Sequence, residues 1–259
     1  TTSNSSSDSN NEIDVNDDID ANERKRRKKS LTKEFCNAEK TFYTNAQPLV
    51  RVLKAWRKRI KENDVPVSEL AKKQASIVLC NAAQVLTMHK QLLASLETRV
   101  LSSTSALADI FDVKMYNPYQ VYVPNYFDAV QTTKSDDRTE FLKIANASLQ
   151  SVGVTLKTAI TLPVNRLSEH MTFLQSVIAL SKGGSKERAA LQASHDLIRQ
   201  LLVDLETKRA ARKDLKRIVK LSKNISDLGR QQLVKRGRRI VHRANVTVIV
   251  DRDSKNALQ

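Results

Sequence analysis

Between Leu156 and Leu180 the chain reads LKTAITLPVNRLSEHMTFLQSVIAL. Its apolar residues Val164, Leu167, Met171, Leu174 and Ile178 recur at alternating spacings of three and four. That period predicts a helix with one buried stripe. Pro163, with no N–H and a fixed φ, marks a kink or a start. The polar residues beside the stripe, Asn165, Arg166, Glu169 and His170, are where a function of this helix would lie.

The same period extends over most of the chain. Leu31, Phe35, Ala38, Phe42, Leu49, Leu53, Trp56 and Ile60 predict a helix kinked at Pro48. Asn63-Asp64-Val65-Pro66 ends it, because a residue before Pro avoids the helical region. Ser68-x-x-Ala71 opens the next helical stretch without a full capping box. Leu79, Ala82, Leu86, Leu93, Leu96 and Val100 predict one helix over Ile77–Val100, followed by a Ser-rich joint at Leu101–Ala106.

Short helical pieces and loops are expected over Ala106–Tyr126, with Tyr116, Tyr119, Tyr122 and Tyr126 clustered. The cluster reads as packing between helices and not as a base-stacking platform, because basic residues do not interleave with it. Further short helices are expected at Asp128–Lys134 and Thr139–Leu149. Gly183-Gly184 marks a helix end and reversal. Leu191 to Leu221 then predicts a long helix, dense in cations in its second half. Beyond Gly229, Gln231–Val234 and Val246–Val250 read as strands. Thr1–Asn22 has no apolar period and is expected to be disordered. The acidic residues there give way to RKRRKK at Arg24–Lys29, a solvated helix lead-in before a localisation or lipid signal.

Composition agrees with an all-α reading. The 259 residues include only 5 Gly and 5 Pro, too few for a turn-rich β fold. Aromatics are 5%, so a core of Leu, Val, Ile and Ala is expected. The formal net charge of +16 implies an acidic partner or surface. Cys36 and Cys80 lie in helical patterns and read as buried reduced thiols. No long apolar run or secretory signal is present, as expected of a soluble intracellular protein. A chain beginning at Thr1 is expected to be a piece of a longer one.

No covalent chemistry is legible. His89, His170, His195 and His242 are scattered, and none stands at a metal-ligand spacing from a Cys or carboxylate. There is no phosphate loop, dinucleotide fingerprint or nucleophile elbow. Neither a metal nor a cofactor is expected. What remains is a helical binding surface.

Three stretches in order resemble the Dbl-homology (DH) domain of Rho guanine-nucleotide exchange factors. Lys33–Val50 is similar to that family's E-L-L-x-T-E-x-x-Y opening helix with its downstream Pro-Leu, here Pro48-Leu49. Val78–Glu97 is similar to its F-x-N-x-x-x-I-x-x-x-H-x-x-x-L-x-x-L-E helix, with Asn81 and His89 in place. Leu156–Leu180 resembles L-x-S-Y-L-I-K-P-I-Q-R-I-x-x-Y, with Leu156, Pro163, Val164, Arg166 and Leu167 matching.

The resemblance implies an elongated bundle of about six helices over residues 30–225, ending in a long helix. An N-terminal segment, 1–29, precedes it. Residues 226–259 are compatible with a linker and the first strands of a pleckstrin-homology (PH) domain. The implied partner is a Rho-family GTPase of Rho, Rac or Cdc type, whose GDP release the chain would promote. Glu34 would bond switch I, with Glu39 also on the binding helix. Asn165 and Arg166 would engage switch II. Two contacts depart from the family: Leu162 stands where a Lys is expected before the proline, and Glu206 where a late Asn is expected. A bundle that binds a GTPase or other partner without exchange is therefore the alternative. Lys235, Arg236, Arg238 and Arg239 are candidates for anionic phosphoinositide lipid, through the PH-like region. That would recruit a cytoplasmic protein to membrane. Specific nucleic-acid binding is not expected.

Overall fold

The computed structural model describes residues 9–62, 66–100, 107–134 and 139–224. All described regular structure is helical. The elements are α1 (Ser9–Asn45), α2 (Gln47–Lys61), α3 (Glu69–Leu79), α4 (Ala82–Ser95), a π-turn (Leu96–Val100) and α5 (Leu107–Ile110). After them come a 3₁₀ turn (Val113–Tyr116), α6 (Asn117–Thr132), α7 (Glu140–Gln150), α8 (Leu156–Leu180) and α9 (Lys186–Asn224). Among the described residues no helix is long and apolar enough to cross a membrane. The strands expected after Gly229, the Ser-rich joint and the four basic tail candidates lie outside the described residues.

The chain forms two compact units, Thr1–Leu205 and Glu206–Gln259. The first holds a helical bundle. α8 packs on α1, α2, α6 and α7, so the stripe of α8 runs through its centre. Leu167, Leu174 and Val177 are fully enclosed there. Local chemistry sets the helix starts. Ser68 accepts from the Ala71 N–H at 3.2 Å, and Thr155 accepts from the Thr158 N–H at 3.1 Å. Each satisfies a backbone donor that the first helical turn cannot pair.

The few aromatic residues occupy the core centre rather than its edge. Phe35 stacks on Phe173 at 4.1 Å and meets Phe111 edge-on at 5.6 Å. Trp56 meets Phe141 at 5.3 Å. The four clustered tyrosines are buried on α6 and the turn before it. Two of their hydroxyls reach the α8 backbone around Pro163. Tyr122 donates to the Ile160 carbonyl at 2.7 Å and Tyr119 to the Pro163 carbonyl at 2.9 Å.

Five local expectations are corrected. Pro48 does not merely kink a helix. It lies in the first turn of α2, with Ala46 alone between α1 and α2. A proline costs nothing there, since that N–H has no helical partner. The helix expected over Ile77–Val100 breaks at Cys80, whose φ of 39° lies in the left-handed region that disfavours a side chain. Cys80 is exposed and Cys36 half-buried, so neither thiol is a fully buried core residue. Finally, α1 begins at Ser9, inside the stretch expected to be disordered. Arg24–Asp20 at 2.9 Å and Arg27–Glu23 at 2.5 Å pair the acidic and basic runs one turn apart on that helix. Nor is the whole basic run a solvated lead-in. Lys28 is buried, 2.6 Å from Glu187 at the start of α9.

Candidate functional site

The seam between α1 and α8 holds a cluster of buried polar residues. Glu39 of α1 has no exposed surface. Its position continues the apolar spacing of Phe35, Phe42 and Ala46, which forces the carboxylate inward. Arg166 of α8 donates its Nε–H to Glu39 Oε2 at 2.9 Å. It also pairs with Glu169 one turn on, and donates to the Phe35 carbonyl at 3.4 Å. Its guanidinium lies over the Phe35 ring, 4.6 Å from the centroid. Two histidines complete the cluster: His89 of α4 places Nδ1 2.5 Å from Glu39 Oε1, and His170 of α8 places Nε2 3.1 Å from Oε2.

The Tyr119 hydroxyl donates to the Pro163 carbonyl and lies 2.6 Å from His89 Nε2. His89 Nδ1 faces an ionised carboxylate, which only accepts, so that nitrogen donates. His170 donates from Nε2 to Glu39 and accepts at Nδ1 from the Tyr116 hydroxyl at 3.1 Å, which makes it neutral. Arg166 pairs with both carboxylates of the cluster, Glu39 and Glu169.

The electrostatics follow. Burial would raise the Glu39 carboxyl, but hydrogen bonds from His170 and His89 hold it well below the usual carboxylate range. Burial lowers His170 to about 4, although the hydrogen bond and charge of Glu39 pull the other way. Burial, then the Glu39 charge, pushes the Tyr116 and Tyr119 hydroxyls well above the usual phenol range, so both remain donors.

Glu39, His89 and His170 each offer one ligand atom, all within 4.8 Å of one another, and such a set could hold a metal ion. In this structure those atoms meet each other directly at hydrogen-bond distances. The Arg166 cation already occupies Glu39 Oε2, where a metal would have to bind beside it. The arrangement is that of a closed ion cluster. It also corrects the reading of the histidines as scattered without a carboxylate partner. His89 and His170 share one.

The predicted binding residues divide sharply. Glu34 is exposed and accepts from the Ser30 hydroxyl at 3.1 Å. Asn165 is exposed, and Leu162 is partly buried against the core. Glu34 and Asn165 are next in sequence to Phe35 and Arg166, which touch. Glu39 and Arg166 are corrected: with 0% and 2% of their surface exposed, neither can reach a partner. Their charges are consumed inside the seam. Glu206 is exposed and pairs with Arg209 at 2.8 Å, in the second unit. Sequence reasoning placed His170 beside the stripe rather than in the buried cluster, and missed Tyr119 as a member of the site. The available signal was His170 itself, a polar residue at stripe spacing between Leu167 and Leu174.

A model of the RhoGEF domain matches residues 31–206. No curated protein matches the chain by sequence. Solved structures resemble it, among them these three. One holds the DH/PH domains of p115-RhoGEF, at 14% identity and TM-score 0.54, covering 82% of this chain and 66% of that one. A second is the ternary complex of human RhoA, its inhibitor and the DH/PH domain of human ARHGEF11. It has 16% identity and TM-score 0.54, covering 77% of this chain and 58% of that one. The third is the DH domain of FARP2, at 16% identity and TM-score 0.52, covering 77% of this chain and 97% of that one. The chain thus spans less than two thirds of the DH/PH structures and nearly all of the lone DH domain. At these identities the likeness concerns the fold.

Proposed function

This chain belongs to the RhoGEF-domain family, and from that membership we propose that it is a guanine-nucleotide exchange factor for a Rho-family GTPase. The observation that carries the reading is the seam itself. A closed ion cluster fixes α1 against α8, two of the helices that carry family-like motifs, and leaves Glu34 and Asn165 exposed. Exchange needs no bond-making to the factor. It needs a rigid surface that binds the nucleotide-free GTPase more tightly than the loaded form, which shifts the population toward release. Glu34 would accept hydrogen bonds from switch I. Asn165 would engage switch II, with Leu162 in apolar contact. Glu39 and Arg166 act as positioning residues and touch no partner. ARHGEF11 is solved with RhoA, and a GTPase of that kind is the first to test.

Leu162 and Glu206 favour a second reading, a scaffold that binds without exchange. Leu162 offers no cation where the family has one, and Glu206 is engaged with Arg209. Release of fluorescent GDP from a panel of Rho, Rac and Cdc GTPases separates the two. Acceleration on at least one member is expected. None at micromolar chain leaves the scaffold. Leu162→Lys should raise the rate by about tenfold, the value of one added charged hydrogen bond. An unchanged or lower rate would remove Leu162 from the switch II contact.

A further inference from the structure

The second half of α9 carries a strip of cations that the exchange reading does not use. At about 100° of rotation per residue, Arg209, Arg212, Lys213, Lys216, Arg217 and Lys220 fall within one arc of roughly 140°. Arg209 pairs with Glu206 at 2.8 Å and Arg217 with Asp214 at 3.6 Å. Lys213, Lys216 and Lys220 are exposed, and among the described residues no acid stands within ion-pair distance of them. Those three lie at spacings of three and four, one above another on the same face.

Such a strip opposes its own helix. Arg209 and Lys213, Lys213 and Arg217, and Lys216 and Lys220 are like charges one turn apart, which destabilises an isolated helix. A planar array of negative charge relieves that repulsion. Ile218 and Ser222, on the side away from the arc, are buried. Leu215 and Leu221 flank the arc on either side, 41% and 49% exposed. Cations bordered by exposed leucines suit a lipid headgroup region, where charge meets anion and leucine meets the acyl boundary. A nucleic acid would be served by aromatic stacking, and residues 206–224 contain no aromatic side chain.

We propose that the Lys213–Lys216–Lys220 face of α9 is a docking surface for a membrane rich in anionic lipid. It lies upstream of the basic tail, and its test uses no exchange readout.

The test is flotation of the full 259-residue chain with vesicles of phosphatidylcholine, alone or mixed with phosphatidylserine. Binding should require phosphatidylserine and weaken as salt rises. The triple reversal Lys213→Glu, Lys216→Glu, Lys220→Glu should lower apparent affinity on the order of a hundredfold, and the corresponding triple to Gln by on the order of tenfold. The Gln series guards against unfolding, which circular dichroism checks in each variant. The control is the same charge change on exposed α2 lysines, Lys54→Glu, Lys58→Glu, Lys61→Glu, and it should shift affinity only a few-fold. Equal losses from the α2 and α9 triples would assign binding to net charge and overturn the proposal. Unchanged vesicle binding in the α9 variants would overturn it too. So would capture of duplex DNA or an acidic polypeptide as tightly as vesicles at the same salt.

Discussion

The α1–α8 seam and the second half of α9 are built from the same charged residue types to opposite ends. In the seam, Glu39, Arg166, His89 and His170 are at most 2% exposed, and every charge is answered by a neighbour on another helix or the next turn. On α9 the side chains of Arg209 and Glu206 are 57% and 61% exposed, and their pairing stays within one helix. Water does most of the work of stabilising the α9 charges, so their pairing matters little to folding. In the seam nothing else can stabilise them, so each partner becomes obligatory. Enclosed charge fixes one helix on another. Exposed charge is left free to meet something outside the molecule.

The largest expected effect comes from removing the hub of the seam. Glu39→Ala removes the acceptor shared by Arg166, His89 and His170 and leaves buried donors without a partner. Breaking a buried pair in this way costs about 3–5 kcal/mol. Much of a domain's net stability of about 5–15 kcal/mol would go with it. Urea denaturation should show that loss, while Glu206→Ala on α9 stays within about 0.5 kcal/mol. Comparable losses at the two positions would erase the distinction between the regions.

Acid is the milder perturbation. The folded seam holds His170 neutral down to about 4, against an ordinary value of 6.5. Below pH 6.5 the unfolded chain takes up a proton there that the folded chain refuses. Stability therefore falls as pH drops from about 6.5 to about 4, by about 3 kcal/mol for this group. Glu39 adds a loss of the same sign in more acidic solution, because its carboxyl is held below its ordinary value. Denaturation midpoints measured across that window check the claim. A flat profile between pH 6.5 and 5 would mean that His170 already carries its proton in the seam.

The two regions also differ in how far the sequence reveals them. The long C-terminal helix, the α8 stripe with its bounds at Leu156 and Leu180, the Ser68 start and the packing role of the tyrosines are all local patterns. Local patterns are what helical periodicity reports. The seam joins Glu39 to His89 across 50 residues and to Arg166 across 127, and no spacing rule encodes such a meeting. Its trace in the sequence is indirect: Glu39 and His170 are polar residues at apolar stripe positions. That is why Arg166 reads as a surface contact in the sequence and is a buried one in the fold. The break at Cys80 is illegible for another reason. Left-handed backbone at a residue other than Gly or Asn carries no turn signal.

The smallest effect is the most diagnostic for α9. A double-mutant cycle on Glu206→Ala and Arg209→Ala isolates their pairing from other consequences of each change. The two are three residues apart on one helix, with both side chains more than half exposed. Their coupling should be about 0.3–0.5 kcal/mol in low salt and should fade as the ionic strength rises. The Glu39→Ala and Arg166→Ala cycle should give a coupling several times larger and nearly insensitive to salt, because ions cannot enter the seam. Salt sensitivity thus separates the regions even where absolute energies overlap. A salt-resistant Glu206–Arg209 coupling would mean that this pair is shielded from solvent, and the neighbouring cation strip would then be a poorer docking surface for headgroups.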